Sequence, residues 1–149
     1  MLTLSTDQFV GDNTVAELAV DTEQFDVGGL HAGSDTFLTA PIGGVYAISA
    51  SICWSPDATG VRLLLLQVAH DDAGGGTGHR RPGVSSAAPV TGAPTCQTAQ
   101  ALLSMVAGDR VAARSLQTSG GTLLISSDAV LGGVDAGANL SMVWMGPAS

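Results

Sequence analysis

The segment Phe25–Ala50 reads FDVGGLHAGSDTFLTAPIGGVYAISA, and its second half decides the fold. A polar, glycine-rich stretch gives way to Pro41-Ile42-Gly43-Gly44, a turn former, and a strand then runs from Val45 to Trp54. Along it Tyr46, Ile48, Ala50, Ile52 and Trp54 share one face, and Ala47, Ser49 and Ser51 the other. A period of two over that length is the mark of a half-buried β-strand.

Working outward, the same signals recur without a helical period. Thr14–Val20 places Ala16, Leu18 and Val20 on one face, with Glu17 opposite. Phe37–Thr39 is a short extended piece before Pro41. Val61–Ala69 holds four consecutive leucines, Leu63 to Leu66, and a strand apolar on both faces is expected to be covered on both sides. Gln97–Val106 and Val111–Gln117 flank Ala107-Gly108-Asp109-Arg110, which reads as a hairpin between paired strands. Gly120-Gly121 turns into Thr122–Ser126, and Asn139–Met145 closes the chain, with Leu140, Met142 and Trp144 on one face and Val143 and Met145 on the other. Some eight to ten strands joined by turns predict an all-β antiparallel sandwich or jelly roll.

The 149 residues suit one domain, with an N-terminal arm at 1–13 and a single jelly roll at 14–149 carrying a long loop at 71–95. Apolar residues make up 45% of the chain and aromatics only 4%, so the core must be built from Val, Leu, Ile and Ala. Eleven aspartates and two glutamates face five arginines and no lysine, a formal charge of −8. That balance excludes nucleic acid as an expected partner, because phosphate must be neutralised by cations. Met1–Val10 has neither a basic nor an apolar leader region, and no apolar run is long enough to cross a bilayer as a helix, so neither a secretory signal nor a membrane anchor is expected. Cys53 and Cys96 could pair; two buried thiols is the simpler reading of a chain whose start shows no export signal.

Leu38, five residues, then Gly44, Val45, Tyr46, Ala47, Ile48, Ser49 and Ala50 keep the spacing of a known signature, with Asp26 and His31 at its upstream positions. With the Gly108-Asp109-Arg110-Val111 turn and the final Ser-Met-Val-Trp-Met-Gly strand, the chain resembles the complement-q and tumour-necrosis-factor superfamily over roughly Thr14–Gly146. Leu38, Ile48 and Ala50 stand where that family has aromatics. Phe25–His31 is similar to a loop of bacterial and bacteriophage versions. The resemblance implies a jelly roll of about ten strands, assembled as a homotrimer. A C-terminal strand apolar on both faces fits this, one face lining the core and the other a threefold contact; Leu140, Val143, Trp144 and Met145 are the residues expected at the interface.

Chemistry is sparse. His70-Asp71-Asp72 with His79 fits no zinc spacing, and Asp26 and Asp35 fit no calcium loop, so no metal is expected. No Gly-x-Ser-x-Gly elbow is present, neither cysteine neighbours a histidine or a cation, and Gly74–Gly78 lacks the Lys-Ser/Thr of a phosphate loop. No catalytic residue and no cofactor is expected. His79-Arg80-Arg81 is the one concentrated basic spot, suited to a partner's carboxylates. The expected function is therefore structural, as in free-standing phage proteins the chain resembles: a capsid decoration protein or small tail component of a virion, gripping the particle through Met1–Asp12 and contacting other virion proteins. The alternative is a soluble bacterial lectin or adhesion-like module that binds a host-surface glycan.

Overall fold

The computed structural model describes residues 1–71, 77–128, 130–131, 134–135 and 137–148. Among these residues there are fourteen strands and no helix: β1 (Leu2–Thr3), β2 (Gln8–Val10), β3 (Ala16–Glu17), β4 (Thr22–Glu23), β5 (Leu38–Thr39), β6 (Gly44–Trp54), β7 (Arg62–Asp71), β8 (Thr77–Ala87), β9 (Thr95–Met105), β10 (Arg110–Gln117), β11 (Leu123–Ile125), β12 (Val130–Leu131), β13 (Val134–Asp135) and β14 (Asn139–Gly146).

Twelve of the strands form two antiparallel sheets facing one another, and β12 and β13 pair separately. In the larger, β6 is central: β9 lies along its whole length on one side, and β14, β1 and β4 follow on the other. β11 pairs with the far end of β6 and carries β2. The smaller sheet runs β3, β10, β7, β8, with β5 also paired to β10. The alternation read from the sequence is the inward face of β6, where Tyr46, Ile48, Ala50, Ile52 and Trp54 are buried. They meet Leu64, Leu66 and Val68 of β7 and Val111 and Ala113 of β10 in one core. At Gly83 the edge of β8 crosses that of β9: a Cβ there would lie 2.8 Å from the Gln100 carbonyl oxygen and 2.9 Å from Leu66 Cδ1, so only glycine allows the closure.

Several expectations are overturned. Residues 1–13 are no arm: β1 and β2 are strands of the larger sheet, and Leu2, Leu4 and Val10 are core side chains. The stretch 77–87, expected as loop with at most one short strand near Val84–Ala88, is the eleven-residue β8, paired with β7 through a register shift between Leu66 and Val68. Its glycine, proline and arginine content suits an edge strand with a bulge; positions 72–76 of the expected loop lie outside the described residues. The Ala107–Arg110 turn does not join paired strands. β9 and β10 belong to different sheets, and the turn crosses between them, held by Ala40 N–H to the Asp109 carbonyl at 2.8 Å and Gly108 N–H to that of Ala40 at 2.8 Å. The expected strand Thr14–Val20 shrinks to β3, though Leu18 and Val20 are buried as read. Leu64 and Leu66 face the core, whereas Leu63 and Leu65 are half-exposed on the outer surface rather than covered. Cys53 and Cys96 are not thiols: they sit opposite one another in the β6–β9 register and form a disulfide.

Candidate functional site

The outward face of the larger sheet carries no ionisable side chain along its three central strands. Directly opposed residues in a sheet point the same way, and Ala47 pairs with both Leu102 of β9 and Val143 of β14. One row, Leu102–Ala47–Val143, therefore crosses three strands, with Leu102 68% and Val143 55% exposed. The next row, Gln100–Ser49–Ser141, is polar but neutral. Because Ala47 and Ser49 are small, the strip is hollowed into a depression of about 550 Å³. Met145, also exposed, extends it toward the end of β14.

There the strip runs into a deeper cleft of about 560 Å³, and Val143 lines both. The cleft's floor is Tyr46 and Met142; its walls are Phe25 and Val27 from the segment between β4 and β5, Ile42 from the turn before β6, and Trp144. Tyr46 is buried, and its hydroxyl donates to the Ile42 carbonyl at 2.7 Å, fixing that turn. Trp144 sits beside a register shift before Gly146, which swings it out of the alternation and leaves it 45% exposed. Gly44 makes this possible: with φ at 157°, its Cβ would lie 2.2 Å from Trp144 Nε1.

The segment bearing Phe25 and Val27 is held by polar contacts. Asp26 accepts from the backbone N–H groups of Leu30 at 2.9 Å and His31 at 3.2 Å, and although burial raises its pKa, these bonds hold it below the ordinary value. His31, whose side chain is 4% exposed, donates from Nδ1 to Glu23 at 3.1 Å and from Nε2 to the Asp35 carbonyl at 2.9 Å. Both partners are acceptors, so the site favours the imidazolium, in which both ring N–H groups can donate. Burial opposes that charge, yet the Glu23 and Asp35 contacts raise its pKa above the ordinary value. Asp26 and His31 thus shape a loop.

The predicted residues fall as follows. Of the expected contact, Val143, Trp144 and Met145 are exposed, while Leu140 is fully buried and faces the core, because it pairs with inward-facing Ala50. His79, Arg80 and Arg81 lie on β8, not on a loop. Gln67 Nε2 lies 2.7 Å from His79 Nδ1, and Arg80 lies 3.9 Å from the buried Asp109 carboxylate, which also takes His70 Nδ1 and the Val106 N–H. The two histidines therefore serve different partners, and among the described residues no three His, Cys, Asp or Glu side chains gather as a metal site. Arg80 keeps 58% of its side chain exposed, and Arg81 is also exposed. Leu102, Ala47, Phe25, Val27 and Ile42 are the surface residues the sequence reading missed. Leu102 was detectable, since it holds a polar-parity position in the alternation of β9.

No known family model matches the chain, and no curated protein matches it. Solved structures do. The tumour-necrosis-factor protein Eiger from S. frugiperda superposes with a TM-score of 0.65 at 18% identity, covering 99% of this chain and 90% of that one. The globular domain of zebrafish complement 1qA gives 0.49 at 12% identity, over 81% and 93%. The chain thus has the all-β jelly-roll fold of the tumour-necrosis-factor structure.

Proposed function

We propose that this chain is a non-enzymatic assembly module: a homotrimeric jelly roll that serves as a structural protein of a bacteriophage particle, docking on the capsid or the tail. The observation that carries the reading is the uncharged row Leu102–Ala47–Val143 on a chain of net charge −8. Copies so acidic repel one another wherever carboxylates meet, and this face lets them approach without that cost. Its small central residues admit a close neighbour, and exposed leucine, valine and methionine supply the apolar area. Threefold symmetry is what the superfamily resemblance implies.

Arg80 and Arg81, exposed on the edge strand of the other sheet, would then face carboxylates of neighbouring virion proteins. The Cys53–Cys96 disulfide suits a particle surface, which lies outside reducing cytosol. The test is the mass of the purified chain by light scattering, together with its copy number in purified particles. Three chains per species and stoichiometric presence in particles support the reading; a single-chain mass with absence from particles ends it. The alternative, a lectin or adhesion-like module, draws on the same exposed arginines, and predicts glycan or cell-surface binding that Arg80→Ala and Arg81→Ala weaken.

A further inference from the structure

We infer that the cleft between Phe25, Ile42, Tyr46 and Trp144 is a binding site for a small, uncharged, predominantly apolar molecule. Its volume of about 560 Å³ lies within the ordinary range for ligand pockets. A single side chain inserted from another protein would leave most of that volume empty, with the cost that unfilled apolar space carries.

The lining defines the ligand's chemistry. Among the described residues no carboxylate, guanidinium or imidazole lines the cleft, and its one charged group, the Met1 ammonium, sits at the rim, so its interior offers nothing to a charged ligand. The Met1 ammonium at the rim is already paired with the Phe25 carbonyl at 2.6 Å. The Tyr46 hydroxyl is committed to Ile42, whereas the Trp144 indole N–H has no acceptor among the described residues and is a polar handle at the wall. The ligand is thus an apolar or aromatic body with an acceptor placed for the indole N–H.

The walls are preformed. Phe25 is 58% and Val27 87% exposed, so these side chains contribute little to folding, and nothing in the core fixes them. The segment is instead pinned by the bonds to Asp26, by His31 between Glu23 and Asp35, and by Gln24 N–H to the Met1 carbonyl at 3.0 Å. Apolar side chains held out in water by a polar frame mark a site rather than a slack loop. A second copy is the poorer occupant. Asp21, Glu23, Asp26 and Asp35 lie in the segment that carries Phe25, against His31 as its one basic side chain, and an equally acidic copy laid across it would meet net like charge; a neutral small molecule does not.

The inference stands apart from the virion reading and is tested separately. The full-length chain is titrated with N-phenyl-1-naphthylamine, an uncharged aromatic probe, while its mass is followed by light scattering. Saturable binding of one probe per chain is expected in the micromolar range, with quenching of tryptophan emission that Trp144→Phe abolishes. Val27→Asp, at a position too exposed to threaten the fold, should weaken binding at least tenfold, and Val84→Asp on the other sheet should leave it unchanged. Absence of saturable binding, or binding indifferent to Val27→Asp, overturns the site. Binding by a dissociated Leu102→Asp variant but not by the assembled wild type also overturns it, and assigns the cleft to a contact between copies.

Discussion

Asp57 Oδ1 accepts from Nη2 of Arg62 at 3.2 Å, and the arginine side chain has no exposure to solvent. Nη1 of the same guanidinium donates to the carbonyls of Thr59 at 2.9 Å and Val61 at 3.3 Å, so one buried cation ties the 57–61 connection to the start of β7. Asp57 is itself oriented by the Thr59 hydroxyl and N–H, both at 2.7 Å, which hold its pKa below the ordinary value. Removing the charge while keeping its three acceptors unpaired is costly in a buried setting. Arg62→Ala is expected to destabilise the fold by about 3 kcal/mol in urea unfolding, and Asp57→Asn by clearly less. Equal effects of the two variants would mean the carbonyl contacts contribute nothing.

Sheet architecture was legible where alternation is local. Tyr46 to Trp54 could be assigned a buried face from periodicity alone, because one side of β6 meets the core along its length. Pairing was not legible. The Ala107–Arg110 turn has hairpin chemistry, yet β9 pairs with β6 and β10 with β7, and those partners are chosen by distant residues. The same ignorance left the disulfide undecided, since Cys53 and Cys96 are 43 positions apart and meet only through the β6–β9 register. β8 escaped because its side chains are mostly exposed and Gly83 is there for a close crossing, so it offers little alternation. The surface strip was half legible: Val143 and Met145 follow from β14, but Ala47 and Leu102 join them only across strands.

The disulfide staples two strands that already pair, so it should act mainly on the unfolded chain. Closing a separation of 43 residues corresponds to about 2–4 kcal/mol. Denaturation of the oxidised chain against Cys53→Ala/Cys96→Ala should show that difference, with the double variant still folded. Free thiols titrated in the native protein purified without reductant would contradict the bridge.

Stability should be bounded on both sides of pH. His31 has a folded pKa raised above 6.5, so its contribution is complete below 6.5 and fades as pH rises through the folded value. The carboxyls of Asp7, Asp21, Asp26 and Asp57 are lowered from 3.8, so theirs is complete above 3.8 and fades as pH falls through the folded values. Thermal melts should therefore plateau between about pH 4 and 6.5. His31→Gln should lower stability by about 1 kcal/mol at pH 5, and by little at pH 9. An equal loss at both values would show that the ring is held neutral.

Gly44 controls the position of Trp144. A methyl group there would lie 2.6 Å from the Gly146 carbonyl as well as 2.2 Å from the indole, and neither the bulge nor the ring can yield without opening the cleft. Gly44→Ala should cost about 1–3 kcal/mol and shift Trp144 emission to the red, with Trp54 buried and unaffected. An unchanged spectrum would mean the ring has another resting place.

The sheet face gives the sharpest separation of folding from assembly. Leu102 and Val143 flank Ala47 in one row, are largely exposed in the single chain, and lie outside the core. Surface charges placed there should leave the isolated fold within about 0.5 kcal/mol of wild type. In an assembly, each would be buried against a neighbour without a partner, which costs several kcal/mol per contact. Leu102→Asp/Val143→Asp is therefore expected to reduce the light-scattering mass from three chains to one while keeping a cooperative melt and the far-ultraviolet signature of β-sheet. Val84→Asp, the same change on the opposite sheet, should leave the mass alone. If the double variant still runs as three chains, the copies meet elsewhere and this face is free for another partner.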